Sequence, residues 1–317
     1  MQLFKTLFGK KITSKGTVAL SFTPDGIALA ISQISQNNPV LGHCEFIPTN
    51  NKQTVLKELT EKHQLDEYDC TLVLSSDDYR LISMEAPPVT EDELAEAIRW
   101  KIPDLIEFPI EDAIIDHYPL PDSQRANSNK MIEIVACQQS AIQPLVDLCL
   151  HCKLQLSVID IQETTLRNLA SLLPEDERGI AVLHLQKMVG RLIIEQQSSL
   201  YLSRKLAMGF DRLGITDTLL SEEQLAMEQE GLALDIQRSF DYVESYYGLP
   251  PISGLAVIPL PENTQDLLNF LNHGHGITAR IMDLSTIIEG DILLDDLTQS
   301  LCAPVIGATL RNTSKAL

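Results

Sequence analysis

Cys149-Leu150-His151-Cys152 sets two thiols and an imidazole within four residues, a grouping that could hold a metal ion or run redox chemistry. A closed structural zinc site needs four ligands, and the sequence offers no second CxxC and no HxxxH to complete one. Redox pairs sit at a helix N-terminus, where the dipole lowers the thiol pKa. This pair falls at the end of a helix predicted over 139–152, where the dipole opposes the thiolate, so both cysteines are expected in the core. His43 and Cys44 have no evident partner and read as strand filler. His273 and His275 flank Gly274 in what reads as a solvated turn. No metal site is expected. GxSxG, HExxH and P-loop signatures are missing. Carboxylates are plentiful, but no local motif pairs them. Ser221-Glu222-Glu223-Gln224 reads as a helix cap followed by a solvated acidic face. Nothing supports a hydrolase, and the chain is read as a protein that is not an enzyme.

The elements that carry these side chains follow a repeated order. Stretches 17–22 (TVALSF), 27–34 (IALAISQI) and 40–47 (VLGHCEFI) read as strands. Pro24-Asp25-Gly26 is a turn between the first two. A helix over 52–63, with Val55, Leu56 and Leu59 on one side, precedes a strand over 69–75. Strands at 180–185, 192–195 and 200–206, helices at 211–220 and 221–247, and a strand at 254–258 repeat the pattern. Strand–strand–strand–helix–strand thus starts once near Thr17 and again near Ile180, which predicts two α/β lobes with mixed sheets.

The first half carries extra chain. Thr90 and Glu93 form a capping box for a helix reaching Lys101 and burying Leu94, Ala97 and Ile98. Strands over 113–120 and 131–137 flank the polar loop 122–129. A helix over 139–152, a strand over 154–160 and a helix over 163–173 follow. The reading is a first lobe from 1–84 and 154–176, a small α/β insertion at 85–153 and a second lobe at 177–302. A C-terminal helix at 303–317 is expected to return to the first lobe, and 174–179 is the hinge.

With 317 residues, 44% hydrophobic and 21% charged, the chain can bury a core that needs no staples. Lys+Arg 24 against Asp+Glu 44 gives a net charge of −20, which argues against general binding to nucleic-acid phosphates. Six cysteines are too few for a disulfide scaffold. No stretch reaches the ~18 apolar residues of a membrane span, and no signal peptide is evident, so a cytosolic protein is expected. The first acidic residue is Asp25, and Lys5, Lys10, Lys11 and Lys15 precede it. Leu3, Phe4, Leu7 and Phe8 fall on one side of a short helix. Residues 1–15 read either as a frayed basic terminus or as a peripheral membrane contact, with ~1 kcal/mol from each basic residue near an anionic surface.

Several of these stretches, in this order, resemble the PilM family of type IV pilus proteins, and within it the branch that serves the MSHA pilus. The segment 93–116 (ELAEAIRWKIPDLIEFPIEDAIID) is similar to a family helix ending in tryptophan that leads into an IPFP-like turn and an acidic strand. The segment 234–247 (LDIQRSFDYVESYY) is similar to the family's EI-RS-F helix, 305–311 (VIGATLR) to its closing GLALR helix, and 204–209 (RKLAMG) to its RxIxxG. The resemblance implies an actin-like fold, two ribonuclease-H-like lobes around a cleft. It implies a place on the cytoplasmic face of the inner membrane and a partner, the short cytoplasmic N-terminal tail of a single-span PilN-like protein. The tail is implied to lie in a groove involving the insertion, with Trp100, Ile102, Leu105 and Phe108 as the candidate contacts; the alternative is that they form the insertion's own core. Peptide capture on a strand edge takes affinity from backbone hydrogen bonds and specificity from pockets.

The resemblance also raises ATP with magnesium. PilM proteins carry Asp-Ile-Gly at each meander and Gly-Gly near the base. Here the first meander reads LSFTPDG, with bulky Phe22 and with Pro24, which lacks an N–H. The second reads LHLQKMVG with no acid, and near Gly254 prolines 259 and 261 stand where a glycine pair is expected. Phosphate donors and metal ligands are both depleted, so no cofactor is expected. The alternative is an actin-like ATPase whose nucleotide state controls partner binding, using Thr23, Asp25, Gly26 and Gly254. A sugar or acetate kinase of the same fold is disfavoured by the same losses.

Overall fold

The computed structural model describes residues 14–35, 38–123, 129–215, 220–290 and 292–311. The chain runs β1 (Gly16–Thr23), β2 (Gly26–Ser35), β3 (Asn38–Pro48), α1 (Lys52–His63), β4 (Asp69–Val73) and β5 (Tyr79–Glu85). It continues through α2 (Glu91–Lys101), β6 (Ala113–Pro119), β7 (Met131–Gln138), α3 (Gln139–His151), β8 (Gln155–Asp160) and α4 (Gln162–Ala170). The remainder is β9 (Ile180–Leu185), β10 (Gly190–Gln196), β11 (Ser199–Leu206), α5 (Glu222–Tyr247), β12 (Leu255–Val257) and α6 (Thr264–Gly274). Last come β13 (Ala279–Ile281), α7 (Leu284–Ile287) and α8 (Asp296–Thr309).

Two sheets share one plan. The first has the order β3-β2-β1-β4-β8 and the second β11-β10-β9-β12-β13. In each, an antiparallel meander of three strands is extended by two parallel ones. The duplication expected from Thr17 and Ile180 is therefore present. Local chemistry fixes the starts and turns. The Thr23 hydroxyl accepts from the Gly26 N–H at 3.1 Å and closes the β1–β2 turn. Asn51 caps α1 by accepting from the Thr54 N–H at 3.2 Å. Thr90 and Glu93 form the capping box of α2, with the Glu93 carboxylate accepting from the Thr90 N–H at 3.1 Å.

The second sheet is buried on both faces. Leu183, Leu192, Ile194 and Val257 pack under α5 and α6 with Leu232, Ile236 and Leu271. Val182, Ile193 and Ala256 point the other way and join the core of the first lobe, which also holds Leu20, Leu29, Val305 and Ile306. Helices α4 and α8 lie between the sheets and meet closely. A Cβ added at Gly307 would stand 2.1 Å from the Thr165 carbonyl oxygen. Gly307→Val should force the helices apart, cost about 1–3 kcal/mol and lower the thermal midpoint. An unchanged midpoint would mean that the two backbones separate freely.

The third sheet, β5-β7-β6, is the insertion. One face, with Ile132, Ile134 and Ala136, lies under Ile98 and Ile102 of the α2 segment. The other, with Tyr79, Tyr118, Val135 and Cys137, joins the first-lobe core. The boundaries read as 85–153 differ at both ends. β5 opens the sheet at Tyr79, and α3 packs Ile142 and Cys149 into the same core that receives the sheet's inner face. The expected helix over 211–220 is only a short turn over Phe210–Leu213, and 216–219 lie outside the described residues. The returning helix starts earlier than 303, at Asp296, and packs on β1, β2 and β3. Residues 312–317 and 1–13 lie outside the described residues. Lys15, half exposed, forms an ion pair with Glu67 at the surface.

Candidate functional site

The insertion carries an exposed apolar face on a braced support. At the end of α2 the Trp100 side chain is 76% exposed, and Leu105 in the next turn is 54% exposed. Phe108 is half-buried and packs on the insertion core. Ile102 differs from the expectation: it is fully buried among Ile98, Ile106 and Ile134, so it supports this surface from beneath and cannot touch a ligand without opening the core. The periodicity explains why, since Ile98 and Ile102 are four residues apart on the inward side and Trp100 lies between them on the outward side. Arg99 donates to the Ala113 carbonyl at 3.2 Å and to the Ile110 carbonyl at 2.5 Å, and Arg80 of β5 reaches Glu107 at 3.6 Å. The turn bearing Leu105 and Phe108 is thus tied to both outer strands. Those strands, β5 and β6, each leave one edge unpaired by another strand among the described residues.

Beside the apolar contact of Val182, Ile193 and Ala256, the lobes also meet through a row of polar side chains. His184, Arg191 and Lys205 stand in register on β9, β10 and β11 and form one row facing the first lobe. His184 donates from Nε2 to the Ser300 carbonyl at 2.7 Å, and burial pushes its imidazole down to about 4. Arg191 pairs with Glu163 of α4, both buried, and donates to the Ser76 hydroxyl at 3.0 Å. The Tyr79 hydroxyl donates to the same carboxylate at 2.6 Å. Lys205 reaches Asp77 at 2.9 Å at the rim. Further along β10, Glu195 is fully buried, and neither of its oxygens meets a hydrogen-bond partner among the described residues. Burial, reinforced by the nearby Asp176 carboxylate and only partly offset by Arg167, pushes this carboxyl up to about 9.

These groups were missed in the sequence, although one signal was present. GRLIIEQ puts an arginine and a glutamate into an apolar strand, and charges so placed need partners.

Two of the residues considered for phosphate, Thr23 and Gly26, hold their own turn. The Thr23 hydroxyl and the Gly26 N–H satisfy each other, and a Cβ at Gly26 would meet the Ile47 carbonyl at 2.2 Å. Gly26 is therefore required by the approach of β3. Gly254 precedes β12, whose Leu255 is level with Ala181 at the start of β9. The β9–β10 turn is at the other end of that strand, on the order of 15 Å away at ~3.3 Å per residue. The Gln186 and Lys187 carbonyls of that turn accept from the Phe210 and Asp211 N–H groups. All six cysteines are free thiols. A hydrogen bond to Cys149 and burial push the Cys70 thiol up, and Cys149 is itself fully buried in the core. His275 lies 3.7 Å from Glu230 rather than beside His273, which donates from Nδ1 to the Asn269 carbonyl at 2.8 Å.

The profile of a family described as type IV pilus assembly protein PilM matches residues 43–239, more than half of the chain. The chain belongs to the PilM family. Among solved structures, this family member resembles the chain of a PilM-PilN type IV pilus biogenesis complex at 17% identity and a TM-score of 0.71, covering 95% of this chain and 98% of that one. It also resembles the cytoplasmic domain of EpsL, an inner-membrane component of the Vibrio cholerae type II secretion system, at 13% identity and a TM-score of 0.51, covering 93% and 94%. A Bacteroides thetaiotaomicron protein with an actin-like ATPase fold and unknown function matches at 13% and 0.51, covering 88% and 96%. Among curated proteins no sequence match is found. The fold is actin-like. No helix among the described residues is long and apolar enough to cross a membrane.

Proposed function

We propose that this PilM-family chain is an adaptor of a type IV pilus assembly machine of the MSHA kind, acting at the cytoplasmic face of the inner membrane. It grips the short N-terminal tail of a single-span PilN-like protein on the face of the insertion. The observation that carries the reading is the exposed Trp100 and Leu105 on a turn braced by Arg99 and Arg80, beside an open strand edge. A large aromatic held on a rigid support is the usual anchor of an interface. The net charge of −20 suits a basic tail and favours its rate of capture and its register. The resemblance to the PilM of a PilM-PilN complex gives the class of partner.

We further propose that the adaptor does not turn over nucleotide. The self-satisfied Thr23–Gly26 turn and the Gln186 N–H, already donated to the Val189 carbonyl at 2.8 Å, support this. So do the protein side chains that span the gap between the lobes.

Calorimetry with synthetic N-terminal tails of candidate partners tests the first reading. One tail should bind, and Trp100→Ala should weaken it ~30-fold, equivalent to about 2 kcal/mol, with thermal unfolding unchanged. Equal affinity for wild type and variant would move the groove elsewhere. ATP with magnesium should give no saturable heat below the millimolar range; saturation there would restore nucleotide control.

A further inference from the structure

Away from that face, two imidazoles and a carboxylate converge on the first lobe. His43 and Glu45 alternate on edge strand β3 and so share one face, while Cys44 between them points inward to Cys302 of α8. His63 is the last residue of α1, which brings its ring over the same face. His43 Nε2 lies 2.8 Å from Glu45 Oε1, and His63 Nε2 lies 3.7 Å from that same oxygen. The two rings stack with centroids 4.5 Å apart and planes 29° from parallel. One donor atom from each of the three residues lies within 4.8 Å of the others. Ligand atoms about 2.0–2.1 Å from a tetrahedral ion stand ~3.3 Å from one another, so small side-chain adjustments suffice. His63 Nε2 is itself buried and has no hydrogen-bond partner among the described residues.

We propose that His43, Glu45 and His63 form a binding site for a first-row divalent cation, zinc by ligand chemistry, with a water completing the tetrahedron. Two neutral imidazoles and one carboxylate with an open fourth position are a recurring zinc ligand set. The cation pins the C-terminal end of α1 to the outermost strand of the first sheet. Lys62, 4.0 Å from Glu45 and mostly exposed, moves into solvent when the ion takes over its partner. The site is independent of the docking face and of any reading of the cleft.

The test uses the full chain, freed of any histidine tag, titrated natively with zinc in calorimetry and with cobalt(II) in visible absorption. One equivalent should bind, with the d–d bands of a four-coordinate ion and no thiolate charge-transfer band. His43→Ala and His63→Ala should each weaken binding beyond the ~10–100-fold that loss of an outer-shell partner costs. His275→Ala, which touches the other His–Glu pair, should leave binding unchanged. Circular dichroism checks that each variant is folded. Wild type that takes up no zinc in molar excess overturns the assignment. So does unchanged affinity in the folded His43→Ala/His63→Ala double variant, or a thiolate band pointing to cysteine ligation.

Discussion

Arg191→Ala should destabilise the protein by about 3–5 kcal/mol, because it leaves the Glu163 carboxylate fully buried with its cationic partner gone. The Tyr79 hydroxyl and, at 3.5 Å, the Ser203 hydroxyl would still donate to Glu163, but neutral hydrogen bonds do not offset a buried charge. The pair itself is a different matter. Replacing both charges at once, with Arg191→Met and Glu163→Gln, should recover most of the loss, since two desolvated ions gain little over neutral groups of similar shape. Urea denaturation of Arg191→Met, Glu163→Gln and the double variant measures this coupling. If the double variant is no more stable than Arg191→Ala alone, the pair is not the unit that joins the lobes.

Glu195 should make stability fall as the solution becomes more basic. Its carboxyl titrates at about 9 in the folded protein against 4.5 as its ordinary value. Between those pH values the folded state holds a proton that the unfolded state has released. Stability is then full below the ordinary value and declines as pH rises toward 9, with a slope approaching ~1.4 kcal/mol per pH unit. His184 has the opposite dependence: its depressed value costs stability only as pH falls below 6.5 toward 4. Measurements above pH 7 therefore avoid the histidine, and comparison with Glu195→Gln separates the carboxyl from buried thiols such as Cys70 and Cys137, whose raised values act in the same direction. Glu195→Gln keeps the shape, removes the titration and should flatten the curve there, whereas the wild type loses about 2 kcal/mol between about pH 7 and 8.5. Parallel wild-type and variant profiles would show that the carboxyl is already ionised in the folded state.

The features legible in the sequence were those written locally. Thr90 and Glu93 announce a helix three residues apart, and the Thr23–Gly26 turn declares itself in Pro-Asp-Gly. The doubled strand order needs only alternation and length. β5 was not legible, because YRLISME has charge at both ends and only part of it is buried. Nor was the place of α3, since an amphipathic helix records that it has an apolar side but not which sheet receives it. Trp100 stood out as an aromatic beside prolines, yet Ile102 was grouped with it until the fold separated the outward from the inward side. The pairings Arg191–Glu163 and His43–His63 join different elements, 28 and 20 residues apart in sequence, and no local pattern encodes such a meeting.

α8 lies across strands that were synthesised about 250 residues earlier. A nascent chain leaving the ribosome can assemble the outer half of the second lobe, whose apolar cluster is drawn from 181–279, before the inner side of the first sheet has its cover. The lobe that is translated first is thus finished last. During that interval Leu20, Leu29 and their neighbours lack Val305 and Ile306 and remain surfaces for a chaperone to occupy.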